Sequence, residues 1–205
     1  MPRVICIANQ KGGVGKTTTA VHLAACLAKA GMQTLLIDLD PQCNATSGLG
    51  KQPVGQHPLV GGVPLHHAVL ETEVAGLFVL PGSRRFRDVE ALARDDGTYG
   101  ARLRDHLESG AAGFDTVLID CPPSIGRLTR TALTASQEVL MPIQCEYFAM
   151  EGLAQMIEVI RQVMEERDRR LQFGGILLTM HDPSLELTWE VEAEVRDFFG
   201  EIVYA

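Results

Sequence analysis

The feature that most constrains the fold is a glycine-rich stretch that lies between a short apolar run and a long amphipathic one. Residues 4–8 are apolar, Gly12, Gly13 and Gly15 follow, and residues 16–30 carry alanine and leucine at helical spacing. This order suits a polyanion, because glycines let backbone N–H groups approach phosphate oxygens and a helix N-terminus carries partial positive charge. The alternative is a glycine-rich turn that binds nothing, which the strand-to-helix context disfavours.

The predicted phosphate loop comprises eight residues: Lys11, Gly12, Gly13, Val14, Gly15, Lys16, Thr17 and Thr18. In such loops the final lysine neutralises the β- and γ-phosphates and the next hydroxyl ligates Mg²⁺, which assigns these roles to Lys16 and Thr17. The common pattern GxxxxGK[ST] is broken at its first position, where Gln10 stands. We accept the motif because the flanking strand and helix both agree with it.

Short apolar runs alternate with amphipathic stretches along the chain, which is typical of βαβ units and a mostly parallel sheet. We therefore predict an α/β fold, a doubly wound sheet flanked by helices, as a single domain over residues 1–205. The further predicted strands are 35–39, 77–80, 117–120, 139–141, 176–179 and 202–204, and the helices are 16–30, 98–109, 150–167 and 188–199. A strand is an unusual terminus for this architecture, so we expect the domain to be truncated at its C-terminus.

The composition is that of a globular protein, since 46% of the residues are hydrophobic and 21% are charged. The net charge of −8 does not favour nucleic-acid binding by the whole surface, although it permits a local basic stripe. No apolar run approaches the roughly 20 residues of a membrane helix, and the cysteines have no CxxC spacing. We expect a cytoplasmic protein without a transmembrane segment, a surface loop at 52–64, and surface positions for His57, His66 and His67.

Aspartates lie at the ends of two predicted strands, at the edge where a parallel sheet binds its ligands. Asp38 and Asp40 close the strand at 35–39, and their side chains should project in the same direction because strand residues alternate. Asp120 closes another apolar run, the form of a strand whose carboxylate contacts the Mg²⁺ shell. The alternatives are a turn or helix-cap role for Asp40 and an ordinary strand end for Asp120.

Four stretches resemble a known family. The run KGGVGKTT, in which Lys11 precedes the glycines, resembles the deviant Walker A box of the ParA and MinD ATPases. Residues 38–48 resemble the family's switch I, DxDPQGNATSG, with Cys43 in place of the usual glycine, and residues 120–124 resemble its switch II, DCPPS. Residues 142–153 match PxQCEYFALEGL, which is typical of ParA-type partitioning proteins and is not shared in this form by MinD proteins.

The resemblance implies a P-loop NTPase that binds ATP and Mg²⁺ and forms a homodimer on ATP binding, with the two subunits facing each other across paired ATP molecules. It further implies weak ATPase activity, stimulation of hydrolysis by a ParB-type partner protein, and non-specific DNA binding by the ATP-bound dimer. Together these properties would drive chromosome or plasmid partitioning and associate the protein with the nucleoid.

The resemblance also implies roles for individual residues. Lys11 would reach the partner's phosphates, and Asp40 would orient or deprotonate the attacking water, which with Lys16 gives the expected catalytic set. Asp38 would support either the magnesium shell or the loop. The full set of residues expected near Mg²⁺ is Thr17, Asp38, Asp40 and Asp120.

One region departs from the family pattern. Where the family continues with arginine, threonine, asparagine and leucine, residues 182–187 read Asp-Pro-Ser-Leu-Glu-Leu, without the arginine of a region tied to DNA contact. Arg84, Arg85 and Arg87 offer either a substitute basic patch or a solvated loop. The alternative functions are a ParA-like or MinD-like ATPase that positions a protein or membrane cargo, and a nucleotide-gated binding module without catalysis.

Overall fold

The computed structural model describes residues 2–85, 99–147, 149–165 and 171–204 of the 205-residue chain. In these residues eight strands form one sheet in the order β3-β4-β2-β5-β1-β6-β7-β8. All neighbouring strands are parallel except β3 and β4. The strands are β1 (Arg3–Ile7), β2 (Thr34–Asp38), β3 (Leu70–Glu71), β4 (Leu77–Leu80), β5 (Thr116–Asp120), β6 (Glu138–Gln144), β7 (Gln172–Thr179) and β8 (Val203–Tyr204).

Helices cover both faces of this sheet, as a doubly wound fold requires. The helices are α1 (Lys16–Lys29), α2 (Asn44–Gly48), α3 (Leu65–Ala68), α4 (Tyr99–Gly110), α5 (Arg127–Ala135), α6 (Ala149–Glu165) and α7 (Glu186–Phe199), with a 3-10 turn at Gly200–Ile202. Buried residues of α4 to α7 share one hydrophobic cluster, whereas those of α1 belong to a second. Adjacent β1 residues Cys6 and Ile7 fall in different clusters, because alternate strand side chains point to opposite faces.

The central strands are buried along their whole length, which explains their continuous apolar sequences. All residues of β2 and β5 are buried, including the aspartate that ends each strand. Parallel strands covered by helices on both faces need apolar side chains on both, so they show no polar alternation. The predicted fold class is therefore confirmed.

Two elements differ from the predictions in informative ways. β6 runs through Pro142, which was expected to close it, and ends at Gln144. Proline is tolerated there because β1 has already ended on that side, where the Pro142 carbonyl accepts a side-chain hydrogen bond from Asn9 at 2.7 Å. Helix α5 was not predicted, because its sequence RLTRTALTA is short and rich in threonine, a weak helix former.

Within the described ranges, no helix combines the length and the apolar character needed to cross a membrane.

Candidate functional site

The carboxyl ends of β1, β2 and β5 bring the predicted site residues to one edge of the sheet. Asp38 and Asp120 are Cα partners in the parallel register of β2 and β5. The phosphate loop, residues 11–18, leaves β1 at the same edge and leads into α1. Because α1 covers one face and α5 to α7 cover the other, the chain switches faces here, and open α/β sheets bind ligands at such a point.

The phosphate loop has a backbone conformation that suits its glycines. Gly13 and Gly15 have φ angles of 77° and 86°, in the left-handed region, and Gly15 is the N-cap of α1. The first hydrogen bond of the helix runs from Thr19 N to Gly15 O at 2.8 Å. The N–H groups of residues 16–18 therefore have no partner within the helix, and N–H groups at a helix start are suited to bind phosphate.

Lys16 lies inside the loop, with 6% of its surface exposed. Its Nζ donates a hydrogen bond of 2.6 Å to the carbonyl oxygen of Lys11. Burial lowers the pKa of the Lys16 ammonium, while the carboxylates of Asp120 and Asp40 act in the opposite direction. The ammonium is thus held beside the N–H donors that an incoming phosphate would contact.

Asp120 ends β5 with no exposed surface. Neither of its carboxylate oxygens has a hydrogen-bond partner among the residues that the structure describes. Burial raises the pKa of Asp120 to about 7, and the charges of Asp38 and Asp40 add to the increase. The Thr17 hydroxyl is close enough to lower this pKa, although it does not reach hydrogen-bond geometry with either oxygen. A buried carboxylate left in this state favours a compensating cation or proton.

The unpaired oxygens of Asp120 fit a bound Mg²⁺, a hard cation that prefers oxygen ligands. Across the described part of the chain, no three acidic, histidine or cysteine side chains converge as a metal cage. Mg²⁺ does not need one, because it usually keeps several waters and takes one or two protein oxygens together with substrate phosphates. Asp120 and the Thr17 hydroxyl are the residues that would hold it here.

Asp38 is fully buried and fastens the switch I segment, residues 38–48, to the sheet. Its Oδ2 accepts hydrogen bonds from Thr46 N at 2.8 Å and Thr46 Oγ1 at 2.6 Å, and its Oδ1 accepts one from Asp40 N at 3.2 Å. A Cβ on Gly82 would lie only 3.0 Å from Asp38 Cγ, so this cluster is closely packed. Because both oxygens of Asp38 are used, the contacts favour the loop-supporting role over a role in the magnesium shell.

Asp40 starts a tight turn at the edge of the site. Its Oδ1 accepts a hydrogen bond from Gln42 N at 2.9 Å, and its carbonyl accepts one from Cys43 N at 2.8 Å. Cys43 has a φ of 55°, a left-handed conformation that costs a residue with a Cβ roughly 1–2 kcal/mol. The family's glycine would avoid this cost. The turn uses one carboxylate oxygen of Asp40, and its catalytic role stays a prediction.

His57 is fully buried, and the prediction that it lies at the surface is wrong. Its Nε2 lies 3.2 Å from the carbonyl oxygen of Asp38, and its Nδ1 accepts a hydrogen bond from Leu59 N at 3.4 Å. Because a carbonyl oxygen only accepts, Nε2 carries the proton. No sequence pattern predicts this contact, since the partner is a backbone atom 19 residues away. His66 and His67 are exposed, as predicted.

The burial of His57 predicts a loss of stability in acid. Burial lowers the pKa of His57 from 6.5 to about 4, so the unfolded chain takes up this proton first as the pH falls. The stability that neutral His57 contributes is therefore lost as the pH falls from about 6.5 to about 4. The total loss in the free energy of unfolding is about 3 kcal/mol. Urea unfolding across this range measures it, with His57→Gln as the comparison because glutamine keeps an N–H donor.

The effect of His57 is the difference in the pH dependence of unfolding between the wild type and His57→Gln. The raised pKa of Asp120 gives a slope of the opposite sign, because the folded state then holds the extra proton. That slope is common to both proteins. Equal pH dependence of the wild type and His57→Gln would contradict the prediction.

Lys11 lies on the rim of the phosphate loop, with 38% of its side chain exposed, and forms an ion pair with Glu146 of the same chain. Its backbone N donates a hydrogen bond to Asn9 Oδ1 at 3.0 Å, and Asn9 Nδ2 donates to the Pro142 carbonyl. Asn9 is 4% exposed and joins the loop to the end of β6. The role of Asn9 was not predicted. The sequence feature that could have indicated it is a side-chain amide directly between a strand and a phosphate loop.

The predicted basic patch is only partly described. Arg84 and Arg85 are exposed in the loop after β4, and Arg87 lies outside the described residues. Exposure is compatible with both a DNA contact and a solvated loop.

The groups at this edge of the sheet are together suited to bind a polyphosphate and its metal ion. The glycine loop supplies N–H donors, Lys16 supplies a buried positive charge, and Asp120 supplies unpaired oxygens. Placed on a doubly wound parallel sheet, these groups define a P-loop nucleotide-binding protein.

Comparison with known proteins identifies the family within this class. A family model described as "AAA domain" matches residues 2–173. The chromosome partitioning protein ParA of Myxococcus xanthus is 44% identical, over 98% of this chain and 73% of that protein. The sporulation initiation inhibitor protein Soj of Bacillus subtilis is 42% identical, over 100% of this chain and 83% of that protein. This chain belongs to the ParA/Soj family of chromosome partitioning ATPases.

A solved structure agrees with the fold and the expected ligands. The cobyrinic acid a,c-diamide synthase from Mycobacterium smegmatis, with bound ADP and magnesium, has a TM-score of 0.89 and is 36% identical. The match covers 98% of this chain and 83% of that one. The same protein has also been solved with an ATP analogue and magnesium. The predicted family and fold class are confirmed, and this similar protein binds the kinds of ligand that the sequence predicts here, an adenine nucleotide and magnesium.

Proposed function

We propose that this chain forms a homodimer around two ATP molecules, hydrolyses them, and in its ATP-bound state binds DNA non-specifically to partition chromosomes or plasmids. The observation that carries the proposal is the placement of two lysines on one loop. Lys16 is buried within the phosphate loop, whereas Lys11 lies on its rim with 38% of its side chain exposed. An exposed ammonium on the rim supports a contact with a triphosphate held by a second subunit. The names of the relatives support the partitioning role.

ATP hydrolysis needs neutralisation of the phosphate charge and a general base, and the residues at the site provide both. Lys16 and the N–H groups of residues 16–18 bind and orient the phosphates, and the partner subunit's Lys11 neutralises charge that develops on the γ-phosphoryl group. Thr17 and Asp120 would hold Mg²⁺, which would supply further positive charge beside the phosphates. Asp40, 6% exposed at the edge of the site, orients or deprotonates the attacking water.

DNA binding requires positive charge that the chain as a whole does not have, since its net charge is −8. Arg84 and Arg85 are exposed, and a dimer would present two copies of them. We infer that the dimer has a local basic surface of this kind. We also infer that the protein is cytoplasmic and associates with the nucleoid, and that a ParB-type partner stimulates hydrolysis.

The experiment combines self-association with DNA binding. With a non-hydrolysable ATP analogue and Mg²⁺, analytical ultracentrifugation should give twice the monomer mass. The same sample should bind two DNA duplexes of unrelated sequence equally, and more weakly as salt rises. ADP is the matched control and should give monomers with little DNA binding. A monomer in the analogue, or DNA binding that ignores the nucleotide, would contradict the proposal.

A second candidate is an ATPase that positions a protein complex or acts on a membrane. Residues 182–187 favour it, because they lack the family's arginine and carry apolar side chains instead. Leu185 is 53% exposed and Leu187 is 40% exposed. Sedimentation of the ATP-bound protein with anionic liposomes, but not with DNA, would select the membrane version of this function.

A further inference from the structure

Both lysines of the phosphate loop are engaged within their own subunit. Lys16 Nζ donates to the carbonyl oxygen of Lys11, and the Lys11 ammonium pairs with the Glu146 carboxylate. The Oε1 atom of Glu146 is shielded from water and accepts no hydrogen bond from the residues that the structure describes, and the Lys11 ammonium lies beside it. A triphosphate must therefore compete with protein oxygens for each lysine.

The surrounding backbone holds this ion pair in place. On the Lys11 side, Asn9 receives the Lys11 N–H and donates to the Pro142 carbonyl at the end of β6. On the Glu146 side, Glu146 N donates to Gln144 O at 2.9 Å in a tight turn directly after the same strand. Both partners are thus fixed to the carboxyl end of β6, and the pair needs little further ordering of the backbone.

We propose that Glu146 is a positioning residue for Lys11, which it holds within the nucleotide-free subunit and releases to a triphosphate on a partner subunit. The proposal rests on the proposed function, because it assumes that Lys11 acts across a dimer. The exposure of the two side chains, 38% and 32%, places the pair where a facing subunit can reach it. Partly exposed pairs are weak, so bound phosphate oxygens can replace the carboxylate. Because the ion pair must break when Lys11 contacts the triphosphate, Glu146 weakens dimer formation.

Glu146→Gln is the variant that tests this proposal, because it removes the charge and keeps the shape of the side chain. With a non-hydrolysable ATP analogue, its self-association should be about two- to fivefold tighter than that of the wild type, since no pair has to be broken. In a Lys11→Ala background the same change should have no effect. Glu190→Gln is the matched control, because it removes an exposed glutamate charge on α7.

A second readout needs no dimer. In the nucleotide-free protein, an amine-reactive label should modify Lys11 about two- to fivefold faster in Glu146→Gln, because the carboxylate no longer shields the amine. Lys29, exposed in the last turn of α1, serves as the internal reference in mass spectrometry. Thermal unfolding of the variant should match the wild type.

The outcomes separate this proposal from the function on which it rests. A wild type that stays monomeric with the analogue would overturn the proposed dimer. A wild type that self-associates, with labelling of Lys11 unchanged by Glu146→Gln, would overturn only the role of Glu146. An equal effect of Glu146→Gln with and without Lys11 would also overturn it, because Glu146 would then act through another residue.

Discussion

Replacing Lys16 with alanine is expected to lower kcat for ATP hydrolysis by about 10²–10³-fold and to weaken ATP binding as well. The size follows from the loss of one pre-positioned positive donor at developing transition-state charge. Lys16 is suited to this role because its ammonium is buried inside the loop and already ordered by the Lys11 carbonyl. Phosphate release under steady-state conditions and fluorescent ATP binding measure the two effects.

Lys29→Ala is the matched control for this prediction. Lys29 lies exposed in the last turn of α1, at the opposite end of the helix that Lys16 begins, so its removal should leave hydrolysis unchanged. Circular dichroism should show that both variants remain folded. Hydrolysis at the wild-type rate by folded Lys16→Ala would show that the phosphates bind elsewhere.

Replacing Asp40 with asparagine is expected to lower kcat by about 10²–10⁴-fold while ATP still binds, because a general base contributes to the reaction and not to ground-state binding. Asparagine keeps the oxygen that accepts the hydrogen bond from Gln42 N, so the turn at residues 40–43 should survive. The variant separates the catalytic role of Asp40 from its role in the turn. Single-turnover hydrolysis and equilibrium binding of ATP are the measurements.

Two comparisons sharpen the Asp40 result. Asp40→Ala should be as inactive as Asp40→Asn, and also less stable if the turn contact contributes to folding. Asp197→Asn, at an exposed position on α7, should behave as the wild type. If Asp40→Asn hydrolysed ATP normally and Asp40→Ala did not, the residue would serve the turn alone.

The parts of the molecule that were predicted correctly are those where local sequence and final environment agree. β2 and β5 are buried on both faces, so their apolar runs identify them without knowledge of their neighbours. The phosphate loop is equally local, because its glycines, its lysine and the start of α1 are adjacent in sequence. The carboxylates at the strand ends were expected near this loop for another reason, because parallel strands end at the same edge of the sheet.

The parts that were missed depend on contacts between residues distant in sequence. His57 can be buried because a backbone carbonyl oxygen of the switch I segment accepts a hydrogen bond from its Nε2. No side-chain pattern in the sequence encodes such a partner. The ion pair between Lys11 and Glu146 joins the phosphate loop to the stretch at residues 142–153, which lies far from it in sequence. β6 continues through Pro142 because its neighbour has ended, which is a property of the sheet and not of the strand.

A crystal structure with Mg²⁺ and a non-hydrolysable ATP analogue tests the central claim most directly. The phosphates should lie on the N–H groups of the phosphate loop, and Lys16 Nζ should exchange the Lys11 carbonyl for a phosphate oxygen. Mg²⁺ should lie beside the Thr17 hydroxyl and Asp120, whose oxygens would then be paired. An analogue bound elsewhere, with the loop empty and Asp120 still without a partner, would contradict the assignment of the site.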